Sequence, residues 1–184
     1  FPHQMTTAIL LPTLNARYMH SSFALRYLYA NLAQLQSKAK LVEFTIQQRP
    51  IDIVEKLLRN QPKIIGFSIY IWNVTETSEV IALLKVIAPG VKIIVGGPEV
   101  SYPNDQPPVC DLVDHVVCGA GEISFRLLCE QLLENESPPG KLIQAEPVKL
   151  DELRMPYQFY TDEDIRNRLI YVEASRGCPY KCEF

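Results

Sequence analysis

The chain has no apolar stretch of membrane-spanning length and no run of basic residues. Its strand-like apolar runs are short and have polar flanks, whereas a membrane helix needs about 20 consecutive apolar residues. The formal net charge is -3, from 18 basic and 21 acidic side chains among 184 residues. A nucleic-acid-binding surface leaves a basic footprint, which is missing here. We therefore expect neither a membrane nor a nucleic acid among the partners of this protein.

The sequence has only five cysteines, and we expect no signal peptide in it. This combination predicts a reducing cytoplasm rather than a disulfide framework. Cys110, Cys118 and Cys129 stand in apolar or helical contexts, which is typical of packing residues rather than metal ligands. Residues 1–4 precede Met5 and resemble a vector remnant, so we expect the natural chain to start at Met5.

Segments typical of strands alternate with segments typical of helices. Hydrophobic residues make up 47% of the chain, an ordinary globular composition. Apolar runs predict five buried strands, over residues 6–14, 41–46, 64–72, 92–95 and 115–118. Apolar residues at helical spacing, with caps and breakers, predict helices from Ser21 or Ser22 to about residue 38, from Pro50, from Asn73 or Thr75 to Pro89, and over residues 122–133.

This alternation is the pattern of a parallel sheet covered by helices on both faces. Right-handed crossovers favour the strand order 2-1-3-4-5. We therefore predict an α/β, flavodoxin-like (Rossmann-like) domain with a five-stranded parallel sheet over residues 5–136. Residues 137–168 are interpreted as a linker, with strand candidates over 141–144 and 147–150 and a short helix capped by Thr161. Residues 169–184 would begin a second domain with a strand.

The carboxyl ends of the strands are the expected binding edge, because open parallel sheets bind ligands there. Two of the loops at this edge are glycine-rich, which lets backbone approach a ligand closely. Another loop brings an aromatic wall, and Gly121 stands at a helix N-terminus, where N–H groups attract anions. The candidate binding residues are Leu14, Asn15, Ala16, Ser68, Tyr70, Trp72, Asn73, Gly96, Gly97, Pro98, Glu99, Gly119, Gly121 and Glu122.

Other flavodoxin-like proteins fit this edge poorly. A receiver domain needs an acidic pair where the first strand ends, and residues 12–15 are not acidic. A flavodoxin needs a loop rich in Ser and Thr there to bind phosphate, and this loop is a poor match. Both observations argue against these two classes.

The last residues carry two cysteines, Cys178 and Cys182, separated by three residues and followed by the aromatic Phe184. A surface cysteine pair or a zinc loop would also have this appearance. The spacing resembles the cluster loop of radical S-adenosylmethionine (SAM) enzymes, Cys-x-x-x-Cys-x-aromatic-Cys, whose third cysteine would be the next residue. Three thiolates each hold one iron of a [4Fe–4S] cluster there, and in the family the open iron binds SAM. The resemblance makes Cys178 and Cys182 candidate cluster ligands.

The sheet domain carries a second resemblance. Residues 96–99 read Gly-Gly-Pro-Glu, residues 114–117 read Asp-His-Val-Val, and residues 119–122 read Gly-Ala-Gly-Glu. These motifs resemble the N-terminal cobalamin-binding domain of radical SAM proteins. Residues 15–18 and 70–73 are similar to the subgroup related to the anaerobic magnesium-protoporphyrin IX monomethyl ester cyclase.

This resemblance implies cobalamin in the sheet domain, and a [4Fe–4S] cluster and SAM in a C-terminal radical SAM domain of the same polypeptide. An electron donor such as flavodoxin or ferredoxin would reduce the cluster, and the whole protein would transfer a methyl group or close a ring on an unactivated carbon. The alternative is a cobalamin-free module that binds a substrate or partner, or that braces the barrel of the radical SAM domain.

The loop after the first strand lacks the Asp-x-His-x-x-Gly motif that supplies a cobalt ligand in other cobalamin proteins. The resemblance therefore implies base-off cobalamin without histidine ligation. We expect His20 to be a surface or cap residue and His115 to point into a helix–sheet interface.

Overall fold

The architecture is a parallel sheet of six strands with helices on both faces. A computed structural model describes residues 7–138 and 140–177. The strands lie in the order β2-β1-β3-β4-β5-β6. Their bounds are β1 Ile9–Asn15, β2 Ala39–Thr45, β3 Ile64–Ser68, β4 Lys92–Gly96, β5 His115–Cys118 and β6 Leu142–Gln144. The parallel flavodoxin-like fold is confirmed.

The predicted number of strands is wrong. Residues 141–144 were expected to lie in a linker, but β6 pairs in parallel with β5, from Val116 opposite Leu142 to Cys118 opposite Gln144. The three residues of β6 are exposed or half-buried, so they lack the apolar pattern of an internal strand. Pairing with the free edge of β5 satisfies backbone groups that a five-stranded sheet would leave open.

The helices fall into two layers. Their bounds are α1 Phe23–Ala30, α2 Pro50–Leu58, α3 Val74–Ile87, α4 Val109–Leu112, α5 Gly121–Leu133 and α6 Asp162–Asn167. One core lies between the sheet and α2, α3 and α4. The other core lies between the opposite face and α1 and α5, where Leu25, Phe125 and Leu128 are buried. Helices therefore cover both faces, as predicted.

Two predicted elements end earlier than expected. The helix capped by Ser22, whose hydroxyl accepts from the backbone N–H of Leu25, ends at Ala30 rather than near residue 38. Asn31 donates its side-chain amide to the carbonyl oxygens of Tyr27 and Arg154, Ala33 has a φ of 49°, and one 3-10 helix follows, Ala33–Lys38. Strand β3 stops at Ser68 rather than at residue 72, because residues 70–73 form a turn.

The segment after β6 packs on α1 and β2 through a buried cluster of charges. The Arg26 guanidinium donates to Glu43 at 2.6 Å and to Asp164 at 2.9 Å, and all three side chains are less than 10% exposed. Arg168 adds a second guanidinium, 3.1 Å from Glu43 and 3.5 Å from Asp164. Thr161 and Asp164 form a capping box that starts α6. We call Arg26, Glu43, Asp164 and Arg168 the ion cluster.

Residues 169–177 follow the ion cluster without forming a regular strand. Leu169 makes one parallel bridge to His20, and its N–H donates to the carbonyl oxygen of Met19 at 2.7 Å. The strand predicted over 169–172 therefore has only this pairing among the described residues, and the proposed start of a second domain stays a prediction. Within the described ranges, no helix is long and apolar enough to cross a membrane.

Candidate functional site

The carboxyl edge of the sheet opens into two adjoining cavities. The first, of about 370 Å³, lies between the ends of β3, β4 and β5 and helices α1 and α5. The second, of about 450 Å³, lies between the loop after β1, the start of α1 and the turn after β3. Phe23, Ala24 and Tyr70 line both. The edge therefore offers one divided site of the size that small ligands occupy.

Most of the predicted binding residues line one of these cavities. Ser68, Gly96, Gly97, Pro98, Gly119, Gly121 and Glu122 line the first cavity, Asn15, Ala16 and Trp72 line the second, and Tyr70 lines both. Leu14, Asn73 and Glu99 line neither. Leu14 is 1% exposed and belongs to the core.

The side chain of Asn73 holds the carboxyl edge of the sheet together by hydrogen bonds. It is fully buried, and its side-chain oxygen accepts from the backbone N–H of Tyr70 at 2.8 Å. Its side-chain amide donates to the carbonyl oxygens of Leu14 at 3.1 Å and Ser68 at 3.2 Å. Asn73 thus ties the ends of β1 and β3 to the turn and satisfies groups that would otherwise be buried without partners.

That turn presents two stacked aromatic rings. The rings of Tyr70 and Trp72 are 4.4 Å apart between centroids and inclined by 9°. Trp72 is 49% exposed, and Ile71 beside it is 76% exposed. Because an exposed apolar patch next to a cavity often marks a binding surface, this turn is a candidate contact for a flat ligand.

Gly97 shapes the edge through its backbone. Its φ is 110°, and a Cβ atom there would lie 2.5 Å from the carbonyl oxygen of Ile69. The N–H of Ile69 in turn donates to the carbonyl oxygen of Gly96 at 2.7 Å. Only glycine fits this crossing of two chain segments without strain. Gly97 is therefore needed for the fold of the edge, whatever the cavity binds.

The sequence patterns predicted only the residues of the first cavity that lie at the strand ends and in the loops that follow them. Its other wall consists of α1 and α5 residues such as Tyr27, Leu28 and Phe125, whose helical spacing marks them as ordinary core. Gly66, in the middle of β3, gives Phe125 room, since a Cβ at this glycine would lie 2.7 Å from the Phe125 ring. Apolar residues that line a cavity carry no sequence signal that separates them from a packed core.

Glu173 and Arg176, from the segment after α6, also line the first cavity. The Arg176 guanidinium donates to Glu122 at 2.7 Å and to Glu173 at 2.9 Å, and lies 4.9 Å from the centroid of the Tyr27 ring. Hydrogen bonding to Glu173 raises the pKa of Arg176 and lowers that of Glu173. Burial, and after it the Glu173 carboxylate, raise the pKa of Tyr27 to about 12. No local sequence pattern predicts this contact.

Glu122 keeps one oxygen without a partner. The residue is 7% exposed and lines the first cavity. Arg176 holds its Oε1, while its Oε2 is buried and has no hydrogen-bond partner among the described residues. Because Oε2 has almost no accessible surface, it is enclosed by the protein and does not face the open cavity.

The two described histidines occupy different places. His20 lines the second cavity, and its Nδ1 lies 2.6 Å from the Tyr171 hydroxyl. His115 is 9% exposed, lines neither cavity, and its Nδ1 lies 2.9 Å from the carbonyl oxygen of Gly140. Asn15 fixes the loop before His20 by donating to the carbonyl oxygen of His20 at 2.8 Å and to Glu43 at 2.6 Å.

The proposed cluster ligands Cys178 and Cys182 lie outside the described residues. Within residues 7–138 and 140–177, no three His, Cys, Asp or Glu side chains are grouped closely enough to hold a metal ion. Cys110, Cys118 and Cys129 are buried and free, as expected for packing residues. Burial raises the pKa of the Cys129 thiol.

The model of the family described as "B12 binding domain" matches residues 10–128. The chain belongs to the B12-binding domain family. Both cavities are lined largely from within the matched residues. Among solved structures, a cobalamin-binding protein from Desulfitobacterium hafniense has a similar fold, with a TM-score of 0.50 and 20% identity. The likeness covers 67% of this chain and 57% of that protein.

Three curated relatives are methyltransferases. The chain is 29% identical over 168 positions to 2-(S-pantetheinyl)-carbapenam-3-carboxylate methyltransferase of Streptantibioticus cattleyicolor, covering 74% of this chain and 24% of the relative. It is 29% identical over 154 positions to the cobalamin-dependent radical SAM methyltransferase TokK of Streptomyces tokunonensis, covering 67% of this chain and 22% of the relative. An uncharacterized methyltransferase of Pyrococcus horikoshii is 24% identical over 175 positions, covering 84% of this chain and 38% of the relative. The matches thus span between about a fifth and two fifths of these relatives.

The residues at this edge fit cobalamin. The walls of the first cavity are largely apolar, and the polar side chains of Ser68, Glu173 and Arg176 are among them. A cavity of about 370 Å³ is too small for a corrin ring but suits a bicyclic base with its sugar. The stacked Tyr70 and Trp72 rings offer a flat apolar surface beside it.

Proposed function

We propose that the B12-binding domain holds cobalamin at the carboxyl edge of its sheet and serves a radical SAM methyltransferase. The observation that carries this proposal is the pair of adjoining cavities at that edge, within the B12-binding family. Residues of the first cavity, among them Gly119, Gly121 and Glu122, would hold the nucleotide of cobalamin. Tyr70, Trp72 and Ala16 would contact the corrin.

Bound cobalamin would supply a cobalt that accepts and gives up a methyl group, and the protein's own residues hold and shield it. Tyr70 forms the wall between the two cavities, and Asn73 fixes its backbone. Arg176 and Glu173 line the first cavity and would contact the part of the cofactor that lies there. No histidine follows β1 in a position like that of a cobalt ligand, so we propose base-off binding without histidine ligation.

The remaining part of the proposal concerns the whole polypeptide. We propose that the residues between β6 and residue 168 connect the sheet domain to a radical SAM domain whose first strand and cluster loop begin within residues 169–184. Cys178 and Cys182 would then be two of the three cluster ligands. SAM and an electron donor such as flavodoxin or ferredoxin would complete the system, which would act by methyl transfer or ring formation. The methyltransferase relatives support the former.

A single tryptophan makes the proposal simple to test. Trp72 is the only tryptophan in the chain and lies at the proposed site. Hydroxocobalamin should quench its fluorescence in a saturable titration. A Trp72→Phe variant, which keeps an aromatic ring, should bind with similar affinity in calorimetry but give no quenching signal. A chain that shows no saturable binding by either method would disprove the proposal.

The alternative function is a cobalamin-free module that braces the barrel. The ion cluster favours it, because Arg26 and Glu43 of the sheet domain bind Asp164 and Arg168 of the following segment. The same titration separates the two functions. Saturable quenching of Trp72 supports the cobalamin carrier, and absence of binding in a chain that unfolds cooperatively supports the brace.

A further inference from the structure

Residues 169–177 contribute to both cavities, although they lie beyond the residues that match the B12-binding family. We call them the docking segment. Tyr171 lines the second cavity, and Glu173 and Arg176 line the first. A ligand that fills the two cavities therefore contacts the docking segment as well as the sheet domain. Such a ligand binds more weakly to a chain in which the docking segment is displaced.

Isolated hydrogen bonds hold the middle of the docking segment. The backbone N–H groups of Tyr171 and Glu173 donate to tyrosine hydroxyls, that of Tyr160 at 3.3 Å and that of Tyr157 at 3.2 Å. The apolar side chain of Val172 is 72% exposed. A segment that buries little apolar surface and is held by few hydrogen bonds opens at a low cost in free energy.

An ion pair fastens the end of the docking segment to helix α5. Arg176 donates to Glu122 at 2.7 Å, and it also binds both carboxylate oxygens of Glu173, at 2.9 Å and 3.1 Å. The Glu122 side chain is only 9% exposed. Displacement of Arg176 would therefore leave a nearly buried carboxylate without its cation, which is costly. The docking segment opens readily only if another cation takes the place of Arg176.

Helix α5 carries such a cation. Arg126 stands four residues after Glu122, a spacing that places both on one face of the helix in the favourable order for an ion pair. Glu122 Oε2 and Arg126 Nε are both enclosed and have no hydrogen-bond partner within the part of the chain that the structure describes. Arg126 lies 3.9 Å from Glu130, whose Oε1 already accepts from Gln34 at 2.6 Å. Glu122 can therefore pair with Arg126 when Arg176 is displaced.

We propose that cobalamin binding is coupled to docking of residues 169–177, and that Glu122 exchanges between Arg176 in the docked state and Arg126 in the undocked state. This inference rests on the proposed function. Cobalamin favours docking because only the docked state supplies the side chains of the docking segment to the cavities. Such coupling is reciprocal, so docking strengthens cobalamin binding by the factor by which cobalamin strengthens docking. Arg126 is a positioning residue, because it lines neither cavity and acts through Glu122.

Hydrogen exchange followed by mass spectrometry tests the coupling in the parent chain. Saturating hydroxocobalamin should slow the exchange of peptides from the docking segment by about 10-fold, the effect expected of a hydrogen bond to a charged group. Helix α2 packs on the opposite face of the sheet and reports the general stabilisation by the ligand. Its exchange should slow less than that of the docking segment.

The two arginines should act in opposite directions. Arg176→Gln removes the ion pair of the docked state, so it should weaken cobalamin binding by about 10-fold in calorimetry and abolish the slowing of exchange. Arg126→Gln removes the competing cation, so exchange of the docking segment in the free chain should slow by about 2-fold. Its cobalamin affinity should be at least that of the parent. Arg59→Gln, at an exposed position, should change neither quantity.

The outcomes separate this inference from the proposed function. A parent chain that binds no cobalamin overturns both. A parent that binds cobalamin without slowing the docking segment beyond α2 overturns the inference alone, and this comparison needs no variant. An Arg176→Gln chain that is folded in thermal unfolding and binds cobalamin like the parent overturns the coupling. Faster exchange of the docking segment in Arg126→Gln overturns the exchange of Glu122 between the two arginines.

Discussion

Replacing Arg26 should destabilise the protein more than replacing any exposed arginine. Arg26 is 4% exposed and donates to Glu43 at 2.6 Å, to Asp164 at 2.9 Å and to the carbonyl oxygen of Ser22 at 2.9 Å. The variant Arg26→Leu fills much of the space but leaves the buried carboxylates of Glu43 and Asp164 with less positive charge beside them. Removing one partner of a buried ion pair typically costs about 3–5 kcal/mol.

The second guanidinium of the ion cluster sets the expected magnitude. Arg168 stays within 3.1 Å of Glu43 and 3.5 Å of Asp164, so it neutralises part of the remaining charge. We therefore expect the lower end of the range, about 3 kcal/mol, for Arg26→Leu. Since a domain is stable by only about 5–15 kcal/mol, this change should be plain in a denaturation curve.

Urea unfolding followed by circular dichroism measures the difference, with Arg59→Leu as the control. Arg59 pairs with Glu55 on the surface, where both side chains are more than 60% exposed. Such a pair contributes about 0–1 kcal/mol. Hydrogen exchange should also show earlier opening of α6 in Arg26→Leu. An Arg26→Leu chain within 1 kcal/mol of the parent would refute the view that the ion cluster holds residues 161–168 on the sheet domain.

Three further predictions concern stability at acid pH, the backbone conformation of a glycine and the filling of the cavities. Burial opposes ionisation of Asp164, but hydrogen bonds from Thr161 and then the charge of Arg26 outweigh it and lower its pKa. The ionised carboxylate therefore stabilises the fold above the usual aspartate pKa of about 4, and this stabilisation is lost as pH falls through the lower folded pKa. In Asp164→Asn, the free energy of unfolding should therefore depend less on pH in this acid range. Gly97→Ala should cost about 1–3 kcal/mol in urea unfolding because of its φ of 110° and the Ile69 carbonyl, whereas Gly90→Ala, with open space around it, should change little. Ala24→Leu should fill both cavities and weaken cobalamin binding by about 10-fold in the Trp72 titration, whereas the exposed Ala82→Leu should not.

The strands were predictable because their apolar runs contrast with their surroundings. All five predicted strands exist, and β5 has the predicted bounds. The sixth strand was missed because Leu142–Gln144 is short and half-exposed, so only the free edge of β5 selects it. The early end of α1 depends on Asn31, whose bond to Arg154 joins residues 123 positions apart. Local sequence patterns do not contain such contacts.

The parts of the site that depend on glycine at strand ends were predictable, and the parts that depend on contacts between distant residues were not. Gly97 and Gly119 have positive φ values, and glycine at a strand end predicts such turns. Asn73 was expected to bind ligand, but the structure makes it a buried brace, because its polar groups meet three backbone groups. Arg176 meets Glu122 across 54 positions of sequence. Nothing local to either residue predicts that contact.

The last prediction concerns the lower axial position of a bound cobalt. Neutral imidazole is a common metal ligand, so a nearby histidine has to be considered. His115 lines neither cavity and faces Gly140. His20 lines the second cavity, but its Nδ1 is engaged by the Tyr171 hydroxyl at 2.6 Å, and its backbone carbonyl is held by Asn15. Neither histidine is oriented by a carboxylate in the way that metal-ligating imidazoles usually are.

Electron paramagnetic resonance of cobalt(II) forms of the bound cofactor tests this directly, because an axial nitrogen splits the cobalt lines into triplets. We expect no such splitting with cobalamin, since the nucleotide base would occupy the first cavity rather than the cobalt. Cobinamide, which carries no base, reports on protein nitrogen alone and should also show none. Splitting with cobalamin but not with cobinamide would mean that the base stays on the cobalt, and the first cavity would then need another occupant. Splitting with cobinamide that disappears in His20→Ala would establish histidine ligation, and the Tyr171 contact would have to break on binding.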